Sequence, residues 1–262
     1  MIDKEKYIPH IRDEDLRFLL VQILDSVEIV IRNHDIKTSD FLNLYEINET
    51  IKILHSFNNI SWSTNGGYED AERKVLIIYH DYIVADTIEN PLACLKITKN
   101  TKIGNLNHRD YLGALLSLGI KREKVGDIVL HENGSYVILK KELKDFVKFN
   151  LDKVRNISIS VEEIDFKDMR PLETKYKNIV GTVASLRLDN IISLALKISR
   201  TDAQNLVDLD RVYVNWALVD KNSYEIKEND VLSIRGRGRV IVDEIQGKTK
   251  KNRIHIKLKK PI

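Results

Sequence analysis

Between residues 187 and 215 the hydrophobic period changes from that of a helix to that of a strand, and this change constrains the fold more than any other feature. Leu188, Ile191, Ile192 and Ala195 share one face of a short helix, and Ala203, Leu206 and Val207 do the same for a second. Arg211 to Asn215 then alternates toward a strand, and Val231 to Arg235 does so again after a turn-rich connection from Asp220 to Glu228. Each helix opens on an arginine, Arg187 and Arg200, thirteen residues apart. Ser199 is placed to cap the second, its hydroxyl accepting from an amide the helix leaves unpaired. Two neighbouring helix N-termini, each with a planar and permanently charged fork, form a surface suited to gripping phosphate.

The charge distribution agrees. Gly181 to Ile262 carries 16 Lys/Arg against 10 Asp/Glu, a net +6, whereas the preceding 180 residues carry 26 against 29, a net −3. The last 30 residues hold 10 basic and 2 acidic groups, alternating with apolar residues as in a strand. A basic module on a slightly acidic body is expected to meet a polyanion.

The length of 262 residues allows two domains or three small ones, and 43% hydrophobic content is enough for packed cores. The lone Cys94 lies in the apolar run Leu92-Ala93-Cys94-Leu95, so no internal disulfide can form and a buried thiol in a reducing cytoplasm is expected. No secretory signal pattern follows Met1, and no apolar run reaches the length of a membrane span. One cysteine and seven scattered histidines do not suggest a metal site, and no cofactor is expected.

Along the chain, Asp13-Glu14-Asp15 precedes a helix carrying Leu16, Leu20, Ile23, Val27 and Val30. A second helix is expected after Ser39-Asp40, with Phe41, Leu44 and Tyr45 facing inward, and Glu69 to Lys74 adds a helical turn. Residues 1–74 thus read as mainly helical. Val75 to His80 and Leu92 to Thr98 read as buried strands, and Tyr111 to Gly119 as a helix ending at its glycine. A hairpin is expected around Glu132-Asn133-Gly134-Ser135, a helix over Glu142 to Asn150 and a strand over Ile157 to Ile164. Residues 75–168 form an α+β domain with an arrangement like an RNA-recognition motif, without its aromatic signature strand. Residues 169–180 are polar and aperiodic and read as a linker, leaving 181–262 as the C-terminal module.

The module's submotifs resemble the S-four RNA-binding domain. They are Arg187-Leu188-Asp189, Ser199-Arg200-Thr201 with Ala203, Val212 and Val214-Asn215, and Asn229-Asp230 with Leu232 and Ile234. The resemblance implies that the arginine-bearing face of the helix pair binds structured RNA, through Arg187 and Arg200 with Lys197, Ser199, Thr201 and Gln204 beside them. Arg211 and Asn215 belong to the same surface. Asp210 and Trp216 stand where glycine is common. Aspartate tolerates left-handed geometry, and Trp216 either stacks on a base or packs on the surface. Arg235-Gly236-Arg237-Gly238-Arg239 either surrounds a phosphate with three guanidiniums or keeps a hairpin edge soluble. Lys248 and Lys250 follow it and favour RNA.

Similarity extends to the YlmH-type proteins through Gly66-Gly67-Tyr68-Glu69, His108-Arg109-Asp110-Tyr111-Leu112-Gly113 and Gly119 to Asp127. His108-Arg109-Asp110 can touch RNA or cap a helix. This resemblance implies a non-enzymatic cytoplasmic RNA-binding factor, acting as a monomer without membrane association. Its expected partners are ribosomal RNA of the large subunit, tRNA or peptidyl-tRNA, and a quality-control tailing factor. The implied process is ribosome-associated quality control, with C-terminal tailing of stalled chains. Cell-division genes often lie nearby in the family. Two alternatives stand beside it: an RNA-modifying enzyme with its active site in the N-terminal body, and a cell-division interaction module. Arg187-Leu188-Asp189 also resembles the catalytic stretch of pseudouridine synthases. The Asn190-Ile191-Ile192-Ser193 that follows lacks their pattern and reads as the module's first helix.

Overall fold

The computed structural model describes residues 2–8, 13–100, 104–171, 175–249 and 252–261. The chain divides into two compact units, Met1–Leu172 and Glu173–Ile262. Both mix helices with antiparallel sheets.

The first unit begins with α1 (Glu14–Asn33), held at its start by Asp13, whose carboxylate accepts from the amides of Asp15 and Leu16. Next come β1 (Lys37–Leu42), α2 (Leu44–Leu54), β2 (Ile60–Asn65) and β3 (Lys74–His80). The expected helix start at Ser39-Asp40 is corrected: those residues lie in β1, and α2 is capped at Asn43, which forms a reciprocal capping box with Glu46. Nor is the segment from Glu69 to Arg73 helical. β3 is the middle strand of a sheet ordered β1-β3-β2, so Val75 to His80 pairs with N-terminal strands rather than opening the following sheet. The N-terminal region is therefore mixed α/β, not mainly helical.

The second sheet is built from β4 (Leu92–Lys99), β5 (Val125–His131), β6 (Gly134–Lys140), β7 (Lys153–Val154) and β8 (Ile157–Ile164), ordered β5-β6-β4-β8-β7. α3 (His108–Ser117) connects β4 to β5, and α4 (Lys144–Asn150) follows β6, giving a β-α-β-β-α-β connectivity. Alternation divides each strand between two faces. Ala93, Leu95 and Ile97 pack under α3 and α4 with Tyr111, Leu115 and Val147. Leu92, Cys94, Tyr136 and Ile138 face the other way, against Phe41, Val75, Ile77 and Tyr79 of the first sheet. The two sheets thus form one core, and burial there pushes the Cys94 thiol up to about 12. Gly126 is required at this junction, since a Cβ on it would sit 2.5 Å from the Phe41 ring. The Lys140 ammonium is drawn in as well and donates to the Ser39 carbonyl at 2.9 Å.

The second unit holds β9 (Tyr176–Val183), α5 (Leu188–Leu196), α6 (Arg200–Asp208), β10 (Val212–Val214), β11 (Ala217–Leu218), β12 (Val231–Ile234), β13 (Gly238–Lys248) and β14 (Ile254–Pro261). Its sheet is ordered β11-β10-β12-β13-β14-β9. The stretch read as a linker over 169–180 is corrected in two places. Met169 is buried in the first unit's core, and Tyr176 onward is a full strand paired with β14. α5 and α6 cover one face of the sheet, where Ile191, Ile192 and Val207 meet Val212, Leu232 and Val240.

Candidate nucleic-acid interface

The two arginines singled out by the sequence meet on one carboxylate. Asp189, in the first turn of α5, has a fully buried side chain. Arg187 donates to it from Nε and Nη2, each at 3.2 Å. Arg200, the first residue of α6, approaches Oδ2 with Nε at 3.0 Å and Nη2 at 2.9 Å. Gln204 Nε2 adds a bond at 2.9 Å, and the Asn190 amide another at 2.9 Å. Burial by itself would raise the Asp189 pKa. The bonds from Arg187, Gln204 and Arg200 outweigh it and bring the carboxyl to about 2. At neutral pH the cluster is one buried anion under two cations, with the guanidinium side chains 37% and 53% exposed. Each fork commits Nε and Nη2 to Asp189. A guanidinium has five N–H donors in all, so both retain donors for an oxyanion. The sequence offers Asp189 only as part of the Arg187-Leu188-Asp189 motif, because nothing local marks an acidic group in a first turn as buried.

The helix N-termini themselves do less than the sequence suggested. Leu188 N and Asp189 N of α5 already donate to the carbonyls of Tyr224 and Asn222. What α5 can offer an oxyanion is therefore guanidinium donors, not a ring of free amides. At α6, Ser199 is the N-cap, its Oγ accepting from Asp202 N at 3.0 Å. Lys197 ends α5 in a left-handed conformation, and it and Thr201 are exposed beside the cluster.

The other sequence candidates lie on strands and turns. Arg211 is exposed before β10, and its carbonyl accepts from Arg235 N at 2.8 Å. Asn215 is a structural lock: its side chain donates to Asp230 at 2.8 Å and accepts from Val231 N at 2.9 Å. Asp210 takes the left-handed conformation expected of it, φ 54°. Arg235 and Arg237 are exposed in the β12–β13 turn, where Gly236 has φ 79° and open space around it. Arg239 opens onto Trp216, its guanidinium carbon 5.5 Å from the ring centroid. Lys248 ends β13, but its side chain and the whole of Lys250 lie outside the described residues. In the first unit, His108-Arg109-Asp110 belongs to a helix cap, with Asn107 and Asp110 forming a capping box.

No helix among the described residues is long and apolar enough to cross a membrane. The described residues also hold no group of three or more His, Cys, Asp or Glu that could bind a metal ion.

Comparison with known proteins divides the chain in three. Residues 17–83 match the family described as "YlmH, N-terminal", residues 88–168 the "Putative RNA-binding domain in YlmH", and residues 186–232 the "S4 domain". The chain is 34% identical over 240 residues to a Bacillus subtilis protein named ribosome-associated protein quality control protein P2, covering 92% of this chain and 93% of that one. A solved structure, cell division protein ylmH from Streptococcus pneumoniae, superposes with a TM-score of 0.50 at 22% identity, over 61% of this chain and 96% of that chain, and shares its fold.

Proposed function

Since this chain belongs to the YlmH family, we propose that it is a non-catalytic RNA-binding factor of ribosome-associated quality control, engaging the large ribosomal subunit that carries peptidyl-tRNA. The observation that carries this reading is the pair Arg187 and Arg200 braced on Asp189. A buried carboxylate fixes both forks, so less side-chain entropy is lost when they meet an RNA phosphate. The relative's name supplies the process, and the net +6 of the C-terminal module supplies the polyanion preference.

The second sheet supports a narrower role for the first unit. Its connectivity and strand order are those of an RNA-recognition-motif fold, but the face opposite the helices is packed against the first sheet through Cys94, Tyr136 and Ile138. Base stacking on that buried area is closed to RNA, so the middle domain contributes by its edges, its helices or contacts with protein.

Co-sedimentation with large subunits carrying peptidyl-tRNA tests the proposal. The Arg187→Ala, Arg200→Ala double variant is expected to sediment free of subunits and to show a salt dependence shallower by about one unit of slope per lost phosphate contact. Normal co-sedimentation by a folded double variant would remove the arginines from the interface.

A further inference from the structure

The sheet of the second unit has a covered face and an open one. Val212, Leu232, Val240 and Leu258 point into the core beneath α5 and α6. Alternation places the residues between them on the opposite face. Tyr213, Ser233 and Arg239 form one row across β10, β12 and β13, and Lys259, opposite Ile241, and Lys257, opposite Glu244, lie further along the same face on β14. Trp216 joins this face from the β10–β11 turn, because the guanidinium it stacks against belongs to Arg239.

The backbone at Trp216 is unusual. Asn215 and Trp216 are the two central residues of a tight hairpin, with φ 49° and 67°. Such turns favour Asn-Gly, and a bulky side chain at positive φ is strained. Trp216 is not part of the helix-side core that could offset that strain. Strain at a partly buried aromatic ring outside that core, beside a cation, is a feature of ligand contacts more than of scaffolding.

We infer that this open sheet face is a second RNA contact, one that takes an unpaired nucleotide by stacking its base on Trp216 while Arg239 and the β14 lysines hold the adjoining phosphates. Aromatic rings flanked by cations bind single strands in this way, because every base has a stacking face. Asp243 lies between the two lysines, 2.7 Å from Lys257, and leaves those three groups with a net charge of +1. Arg239 is the cation that lies over the ring itself. The inference rests on the RNA-binding reading above, but it uses a different face and a different form of RNA from the arginine pair on Asp189.

Tryptophan emission reports on the site directly, since the chain has only Trp62 and Trp216. The full-length Trp62→Phe variant, titrated with oligouridylate, is expected to show saturable quenching, and a hairpin duplex of equal length is expected to quench less. Adding Arg187→Ala and Arg200→Ala should leave the oligouridylate affinity within about twofold. Trp216→Gly relieves the turn strain and preserves the fold, and by anisotropy of a labelled oligouridylate it should weaken binding roughly tenfold. Unchanged oligouridylate affinity in Trp216→Gly, or its abolition by the two arginine substitutions alone, would overturn the second contact and leave the arginine site standing. Absence of binding to single-stranded and structured RNA alike would overturn both.

Discussion

Two carboxylates in this chain are drawn away from water, and their pKa values move in opposite directions. Asp127, on β5 of the first unit, accepts from neutral donors: Tyr68 Oη at 2.9 Å, Glu72 N at 2.7 Å and Arg73 N at 3.2 Å. Burial dominates there, and its pKa is raised despite those bonds. Asp189, in the second unit, accepts from two guanidiniums, and its pKa falls to about 2 although its side chain is the more deeply buried. The difference lies in what the arginines do. Near Asp127, Arg73 turns its guanidinium to the Phe41 carbonyl, and Arg122 binds the carbonyls of Val125 and Gly126. The first carboxylate therefore ties a loop to a sheet. The second holds two cations at the surface.

The largest expected effect follows from removing the second carboxylate. A carboxyl at about 2 in the folded chain, against ~3.9 unfolded, contributes on the order of 2–3 kcal/mol at neutral pH. Its folded pKa is depressed, so that stability is present above about pH 4 and is lost as pH falls through about 2. Asp189→Ala should lower the stability of the second unit by about 2–3 kcal/mol, less than a fully buried pair would lose, because both guanidiniums reach water. It should also weaken RNA binding even though it removes a negative charge, since the forks lose their brace. Hydrogen exchange in α5 and α6, together with subunit co-sedimentation, measures both effects. Tighter binding by Asp189→Ala would show that Asp189 opposes RNA rather than positioning the arginines.

Gly67 provides the matching test in the first unit. It has φ +87°, and a Cβ there would lie 2.3 Å from the Phe166 ring. Gly67→Ala should cost about 2 kcal/mol through left-handed strain and overpacking. Exchange should rise in β3 and β5, and the salt dependence of RNA binding should not change. If Gly67→Ala reduced RNA binding as much as Asp189→Ala, the glycine loop would be part of the RNA surface and the contrast between the two carboxylates would fail.

The sequence revealed these regions unequally. α5, α6 and β10 were legible because their patterns are local, with caps and alternation within a few residues. Cys94 and the Val75 to His80 strand were legible because central strands are apolar on both faces. β1 and β2 were not, since Lys37-Thr38-Ser39-Asp40 and Ser61-Trp62-Ser63 occupy sheet edges and are only partly buried. β9 read as a linker for the same reason, as it is an edge strand with Lys177, Asn178 and Val180 exposed. The Asp189 cluster was half legible. Its arginines carry a motif, but the convergence of residues 187, 189, 200 and 204 depends on helix packing that no local pattern encodes.

The smallest effect tests the sign of the other carboxylate. Tyr68 donates to Asp127, and this bond lowers a pKa that burial otherwise raises. Tyr68→Phe removes the donor, so the ionised form of Asp127 should become harder to keep and its pKa should rise further. The loss should be about 1 kcal/mol wherever the carboxylate is ionised and needs the bond. A raised carboxylate costs stability where it is ionised, and that cost is relieved as pH falls toward its folded pKa. The difference between wild type and Tyr68→Phe should therefore shrink as pH falls toward the raised folded pKa of Asp127, above the acid range in which the Asp189 contribution is lost. Denaturant titrations of both proteins from pH 7 to pH 4 provide the comparison. A Tyr68→Phe penalty that grew on acidification would mean that Tyr68 stabilises the neutral acid, which would reverse the electrostatic assignment of Asp127.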